Sequence, residues 1–122
     1  MPTLTAQIGA KGEREATKWL RGNGFLIHAL NWRSGHYELD IVAERWGVLH
    51  FVEVKTRRAE GFTTPQEAMT KQKCDSMVKA ARLYIAQHNI RQEMQFDLLA
   101  VEMGEDGSMT LRHIEHVIEF RW

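Results

Sequence analysis

Tyr37-Glu38-Leu39-Asp40-Ile41-Val42-Ala43 and, shortly after, His50-Phe51-Val52-Glu53-Val54-Lys55-Thr56 decide the reading of this chain. Both stretches are rich in β-branched and aromatic residues and read as strands. Side chains on a strand alternate with period two, which predicts one face for Glu38, Asp40 and Val42, and one face for Phe51, Glu53 and Lys55. A segment as apolar as Phe51-Val52-x-Val54 belongs inside a sheet. An ionised Glu and Lys there are costly unless they are paired or hold a cation.

Working outward, a helix is expected from about Thr5 to Arg21, closed by Asn23-Gly24, with Ile8, Gly12, Ala16, Trp19 and Leu20 as its apolar stripe. Glu13 lies beside the small-residue edge of that stripe. Glu15, within four residues of Lys11 and Lys18, reads as a solvated surface charge. Phe25–Trp32 is expected as the first strand, Arg33-Ser34-Gly35-His36 as a turn, and Glu44-Arg45-Trp46-Gly47 as a hairpin connection. A polar loop from Arg57 to Thr64 leads to a second helix that starts between Pro65 and Thr70 and runs to about Gln87. Gln95–Met103 and Met109–Ile114 are the last strands, joined by Gly104-Glu105-Asp106-Gly107. The order α-β-β-β-α-β-β makes the third and fourth strands parallel through a right-handed crossover and the flanking hairpins antiparallel. The predicted fold class is α/β, a mixed central sheet flanked by helices.

The chain has 122 residues, which suits one domain, and its sixteen Lys and Arg balance sixteen Asp and Glu. That neutrality excludes binding to nucleic acid through bulk positive charge, so any such site must be local. Cys74 is the only cysteine, which excludes an internal disulfide and a cysteine-rich zinc site. No stretch is apolar enough to span a bilayer, and the N-terminus lacks a secretory signal pattern, so a cytoplasmic protein without membrane contact is expected.

Hydrolysis of a phosphodiester needs an oriented water and charge neutralisation at the phosphoryl and leaving oxygens, and Mg²⁺ serves all of these. Hard oxygen ligands for it are expected from Asp40, Glu53 and the backbone carbonyl of Val54, with Glu13 reaching over from the helix. Lys55 is then placed to orient the water or to stabilise developing negative charge.

These residues resemble the PD-(D/E)XK nuclease superfamily, whose core is αβββαβ. The chain is similar above all to the YraN family of small bacterial proteins, related in turn to archaeal Holliday-junction resolvases. The resemblance rests on Gly9-Ala10-Lys11-Gly12-Glu13, Asn31-Trp32-Arg33, Glu38–Ala43, Phe51–Arg57 and Phe96-Asp97. It implies a restriction-endonuclease-like fold and a Mg²⁺-dependent site, with Mn²⁺ as a substitute, at Glu13, Asp40, Glu53 and Lys55. It also implies a supporting polar group on the second helix, for which Lys71, Gln72 and Lys73 are the candidates. DNA is the expected substrate, junction or branched DNA by kinship alone, and a homodimer follows from the same kinship.

Any one of these charges is ordinarily explained by a surface ion pair; their convergence among apolar flanks favours a metal-centred site. Glu38 is an additional candidate, with pairing to Arg33 or Arg57 as its alternative. Arg57, Arg58, Lys71, Gln72 and Lys73, followed by Lys79 and Arg82, form the most basic region and a candidate phosphate-contacting rim, against the reading of a solvated face. The acidic residues after Gln95, Asp97 among them, are expected to face away from a polyanion. The six histidines show no zinc-site spacing and are read without catalytic duty. Trp19 and Trp32 are expected in the core, Trp46 and Trp122 on the surface. The competing function is a non-catalytic nucleic-acid-binding or interaction module that retains the metal shell; a purely structural protein is the weaker third.

Overall fold

The computed structural model describes residues 3–58 and 64–119, with the side chains of Pro65 and Gln66 excepted. The elements run α1 (Leu4–Gly22), β1 (Leu26–Ser34), β2 (Tyr37–Arg45), β3 (Val48–Arg58), α2 (Pro65–Ala68), α3 (Lys71–His88), β4 (Met94–Met103) and β5 (Met109–Ile114). The five strands form one mixed sheet in the order β1-β2-β3-β4-β5. β3 and β4 are parallel and the other three pairs antiparallel, as the crossover demands. This is an α/β fold, and its αβββαβ portion is extended by β5.

Each helix covers one face of the sheet. Ala16 and Leu20 of α1 pack with Ile41, Ala43, Val52, Val54, Leu99 and Val101. Met77, Ala80, Ala81 and Tyr84 of α3 pack with Phe51, Phe96 and Leu98 on the other. Because both faces are covered, the middle of each strand, Leu49–Val52 of β3 and Phe96–Leu99 of β4, is buried continuously rather than in alternation. α1 begins at Thr3, whose Oγ1 accepts from Ala6 N–H at 3.1 Å. It crosses β3 so closely that a Cβ on Gly12 would sit 1.8 Å from Thr56 Oγ1. That approach is open only to glycine, and it carries the next residue, Glu13, toward the sheet.

Several boundaries differ from the sequence reading. The strand expected from Phe25 starts at Leu26 and runs through Ser34. Glu44 and Arg45 belong to β2, and the connection is the two residues Trp46 and Gly47, both at positive φ, the backbone that matches hairpin twist. Arg57 and Arg58 continue β3 instead of opening a loop; residues 59–63 of the expected loop lie outside the described residues. The second helix is two: α2 ends at Ala68, and Thr70 recaps the chain by accepting from Lys73 N–H at 3.2 Å. Asn89 closes α3 in the left-handed conformation. Trp19 and Trp32 pack against the core at its margin, and Trp46 is 86% exposed. Trp122 lies outside the described residues.

Strict alternation does not hold along β2. Leu39 and Val42 belong to the same cluster under α3, whereas Ile41 and Ala43 face α1, so the expected common face of Glu38, Asp40 and Val42 is broken. The pairing of β2 with β3 begins only at Ile41 opposite Val52. Beyond it, Val54 N–H donates to Asp40 Oδ2 at 2.9 Å, a side chain standing in for the ladder. On the neighbouring strand Asn31 takes φ 49°. Both irregularities lie at the candidate site.

Candidate metal centre

Glu53 is the centre of the arrangement. Its neighbours along β3, Val52 and Val54, are buried, and its own side chain is only 14% exposed. Burial, then the negative charge of Asp40, push its carboxyl up to about 7, against the opposing pull of Lys73. Asp40 acts on Glu53 mainly through its charge and also through side-chain proximity, an arrangement that a shared proton or a bound cation relieves. Lys73 Nζ lies 2.9 Å from Glu53 Oε2. Burial disfavours the ammonium, but Glu53, Asp40 and Glu38 outweigh it and hold Lys73 above its ordinary value.

Glu13 joins from α1. Burial and then Asp40 raise its pKa, a hydrogen bond with Asn31 opposes, and Glu38 adds to the rise. Thus Glu13, Glu38, Asp40 and Glu53 converge from three elements, with Asp40 close enough to disfavour the charged forms of both Glu13 and Glu53. Glu38 is also held by Arg33, at 3.2 Å on β1, and lines a concavity of about 350 Å³ with Glu53, Gln72 and Lys73. Lys55 is exposed and borders the groove that contains Glu13 and Val54.

The donor set fits Mg²⁺. The ligands are hard oxygens drawn together from three elements, and Glu53 at their centre is paired with one ammonium, that of Lys73. Of the three candidates on the second helix for a supporting polar group, Lys73 is the one paired with Glu53; of the other expected phosphate-contacting residues, Arg57 pairs with Glu102 at 3.6 Å, while Arg58, Lys71 and Gln72 stand exposed.

The sequence reading missed a second polar constellation. Asp97, expected among surface acids, is fully buried. Its Oδ2 accepts from His50 Nδ1 at 2.5 Å and His113 Nε2 at 2.8 Å, and its Oδ1 from Gln95 Nε2 at 2.9 Å and His116 N–H at 3.2 Å. Burial alone would raise its pKa; the hydrogen bonds from His113, His50 and Gln95 outweigh that and hold the carboxyl well below its usual range. Ligating atoms of His50, Asp97, His113 and Glu115 fall within 4.8 Å of one another. The two short nitrogen–oxygen distances are those of N–H donors on a carboxylate; ligands about 2 Å from one zinc sit farther apart, at about 3 Å or more. The group is a hydrogen-bonded clasp joining β3, β4 and β5. No sequence spacing announces it, because its members come from separate strands.

Among the described residues no helix is long and apolar enough to cross a membrane. The model of the family described as "Uncharacterised protein family UPF0102" matches residues 12–101, a stretch that contains Glu13, Asp40, Glu53, Lys55 and Asp97. A UPF0102 protein of Bacteroides fragilis is 42% identical over 108 residues, 88% of each chain. One from Symbiobacterium thermophilum is 38% identical over 114 residues, covering 93% of this chain and 97% of its own. One from Porphyromonas gingivalis is 43% identical over 109 residues, covering 88% and 78%. With its sheet order, its early helical Glu13 and similarity over most of its length, the chain belongs to the UPF0102 (YraN) family.

Proposed function

We propose that the protein is a Mg²⁺-dependent endonuclease that hydrolyses phosphodiester bonds in DNA, with Mn²⁺ able to substitute. The observation that carries this reading is the convergence of Asp40 and Glu53, in side-chain proximity at a break in the β2–β3 ladder, with Glu13 brought over them by the Gly12 crossing. Mutually repelling carboxylates held by a rigid sheet cost stability, and such strain is characteristic of functional positions.

Asp40, Glu53 and the Val54 carbonyl would hold the ion, and Glu13 would complete the acidic shell. The ion supplies neutralisation of phosphoryl charge and activation of water. Asp40 is fixed in orientation by Val54 N–H, so little reorganisation accompanies binding. Lys55, exposed beside this shell, presents its ammonium to the attacking water or to the developing negative charge. Lys73 holds Glu53 through its ion pair and would yield that carboxylate to a divalent cation. Lys71 and Gln72 remain available to phosphates on the α3 side, and Arg58 beside the groove it lines with Glu13.

The test is cleavage of single-stranded, duplex, flap and four-way DNA with Mg²⁺ or Mn²⁺, alongside Asp40→Asn. Metal-dependent products that disappear in the variant are expected. No cleavage of any DNA or RNA form by the parent refutes the reading and leaves the non-catalytic binding module in its place.

A further inference from the structure

A groove of about 570 Å³ runs between α1 and β1 and ends on Glu13 and Asp40. Arg14, Lys18 and Arg21 line it. Their spacing, i, i+4 and i+7, puts all three on one helix face. Over the same stretch the helix rises about 10 Å, so the three cations are spread along the groove. Among the described residues none of the three has an ion-pair or hydrogen-bond partner; Arg33, Arg57 and Lys73 by contrast are all committed to carboxylates. The opposite wall offers Leu30, a large apolar side chain left 46% exposed, and Asn31 in its left-handed conformation. A row of uncommitted cations facing an apolar wall is the arrangement that tracks a polynucleotide backbone while its sugars and bases lie on apolar surface. The volume falls in the range of a small-ligand cleft, about 300–1,000 Å³, room for a short segment of one strand.

We propose that this groove is the binding track for a single strand of nucleic acid, its phosphates on Arg14, Lys18 and Arg21, leading one strand to the carboxylates. The proposal rests on the nuclease reading for what happens at the end of the track, and it adds that the strand is unpaired where it enters. A duplex would then have to be open, frayed or branched at this point.

The test is fluorescence anisotropy of the full chain with a labelled oligothymidylate and with a blunt duplex, across a salt series, in Ca²⁺ to read binding apart from turnover. The parent, Arg14→Gln/Lys18→Gln/Arg21→Gln and the exposed control Arg91→Gln are compared after circular dichroism confirms their folds. Each phosphate contact contributes about 0.7 to the log–log salt slope for a single strand, so the triple variant should be flatter by about 2 and the control unchanged. A triple variant that retains the parental slope and affinity overturns the track while leaving the nuclease reading intact. A parent that prefers the duplex overturns the assignment to a single strand. A parent that binds neither oligonucleotide overturns the track, and the cleavage assay then decides the nuclease reading independently.

Discussion

Replacing Glu53 by Gln should make the metal-free protein more stable, although it removes a partner of Lys73. The carboxyl stands at about 7 against an ordinary 4.5, so the folded state keeps its proton over a range in which the unfolded chain has lost it. Folding stability contributed by this group is therefore present at low pH and declines as pH rises from about 4.5 through about 7. At about 1.4 kcal/mol per pKa unit the ionised carboxylate costs the fold about 3 kcal/mol. Gln copies the neutral acid and still accepts from the ammonium. Urea denaturation in EDTA at about pH 5 and about pH 8.5 should show the advantage of Glu53→Gln growing by about 2–3 kcal/mol across that interval. Mg²⁺ should reverse the order, since binding at a hundredfold excess over Kd stabilises the parent by about 2.7 kcal/mol. A stability gap that does not change with pH, or a variant less stable at about pH 8.5, would refute the account of Glu53 as a buried charge that Lys73 only partly compensates.

Asp40→Asn keeps an oxygen for Val54 N–H and should fold, but its Mg²⁺ affinity should fall at least tenfold in calorimetric titration; equal affinity excludes the site. Lys55→Ala should lower the cleavage rate by about a hundredfold or more while leaving DNA affinity nearly unchanged, as expected for a group acting in the transition state, and gel shifts on the same preparations check the second half. Gly12→Ala drives a methyl into Thr56 and should cost about 1–3 kcal/mol in thermal unfolding, with loss of Mg²⁺ binding through displacement of Glu13. Asp97→Ala leaves four donors facing a void and should cost about 3 kcal/mol or more. The parent should lose the contribution of Asp97 as pH falls below the ordinary carboxylate range, a loss visible as a pH-dependent difference between the two unfolding curves.

Much of the arrangement was legible because the elements are strongly patterned. The β3 run with Glu53 and Lys55 is apolar around its charges, and Asn23-Gly24 and Asn89 punctuate the helices. The crossover between β3 and β4 follows from the position of the helical segment alone. What escaped was whatever depends on departures from periodicity or on distant partners. The β2 side chains change face near Asp40, where alternation predicts regularity. His50, Asp97 and His113 carry no local signal of their meeting. Lys73 could not be told from Lys71 and Gln72 as the supporting group until the start of α3 set it against Glu53, and no local pattern in Arg14, Lys18 and Arg21 announces the wall that β1 sets opposite them.

The central parallel pair also sets a timetable for folding. β1, β2 and β3 are joined by tight turns and can zip locally, but Leu49 meets Met94 only after the whole α2–α3 segment has looped back. Closure of such a loop delays the rewarding contacts and slows folding. The Asp97 clasp can assemble only once that closure has occurred, because His50 lies on one side of the loop and Asp97 and His113 on the other. It therefore works as a lock on the finished sheet: weakening it should hasten unfolding far more than it retards folding, leaving the lifetime of the native state, rather than the rate of reaching it, in the keeping of one buried carboxylate.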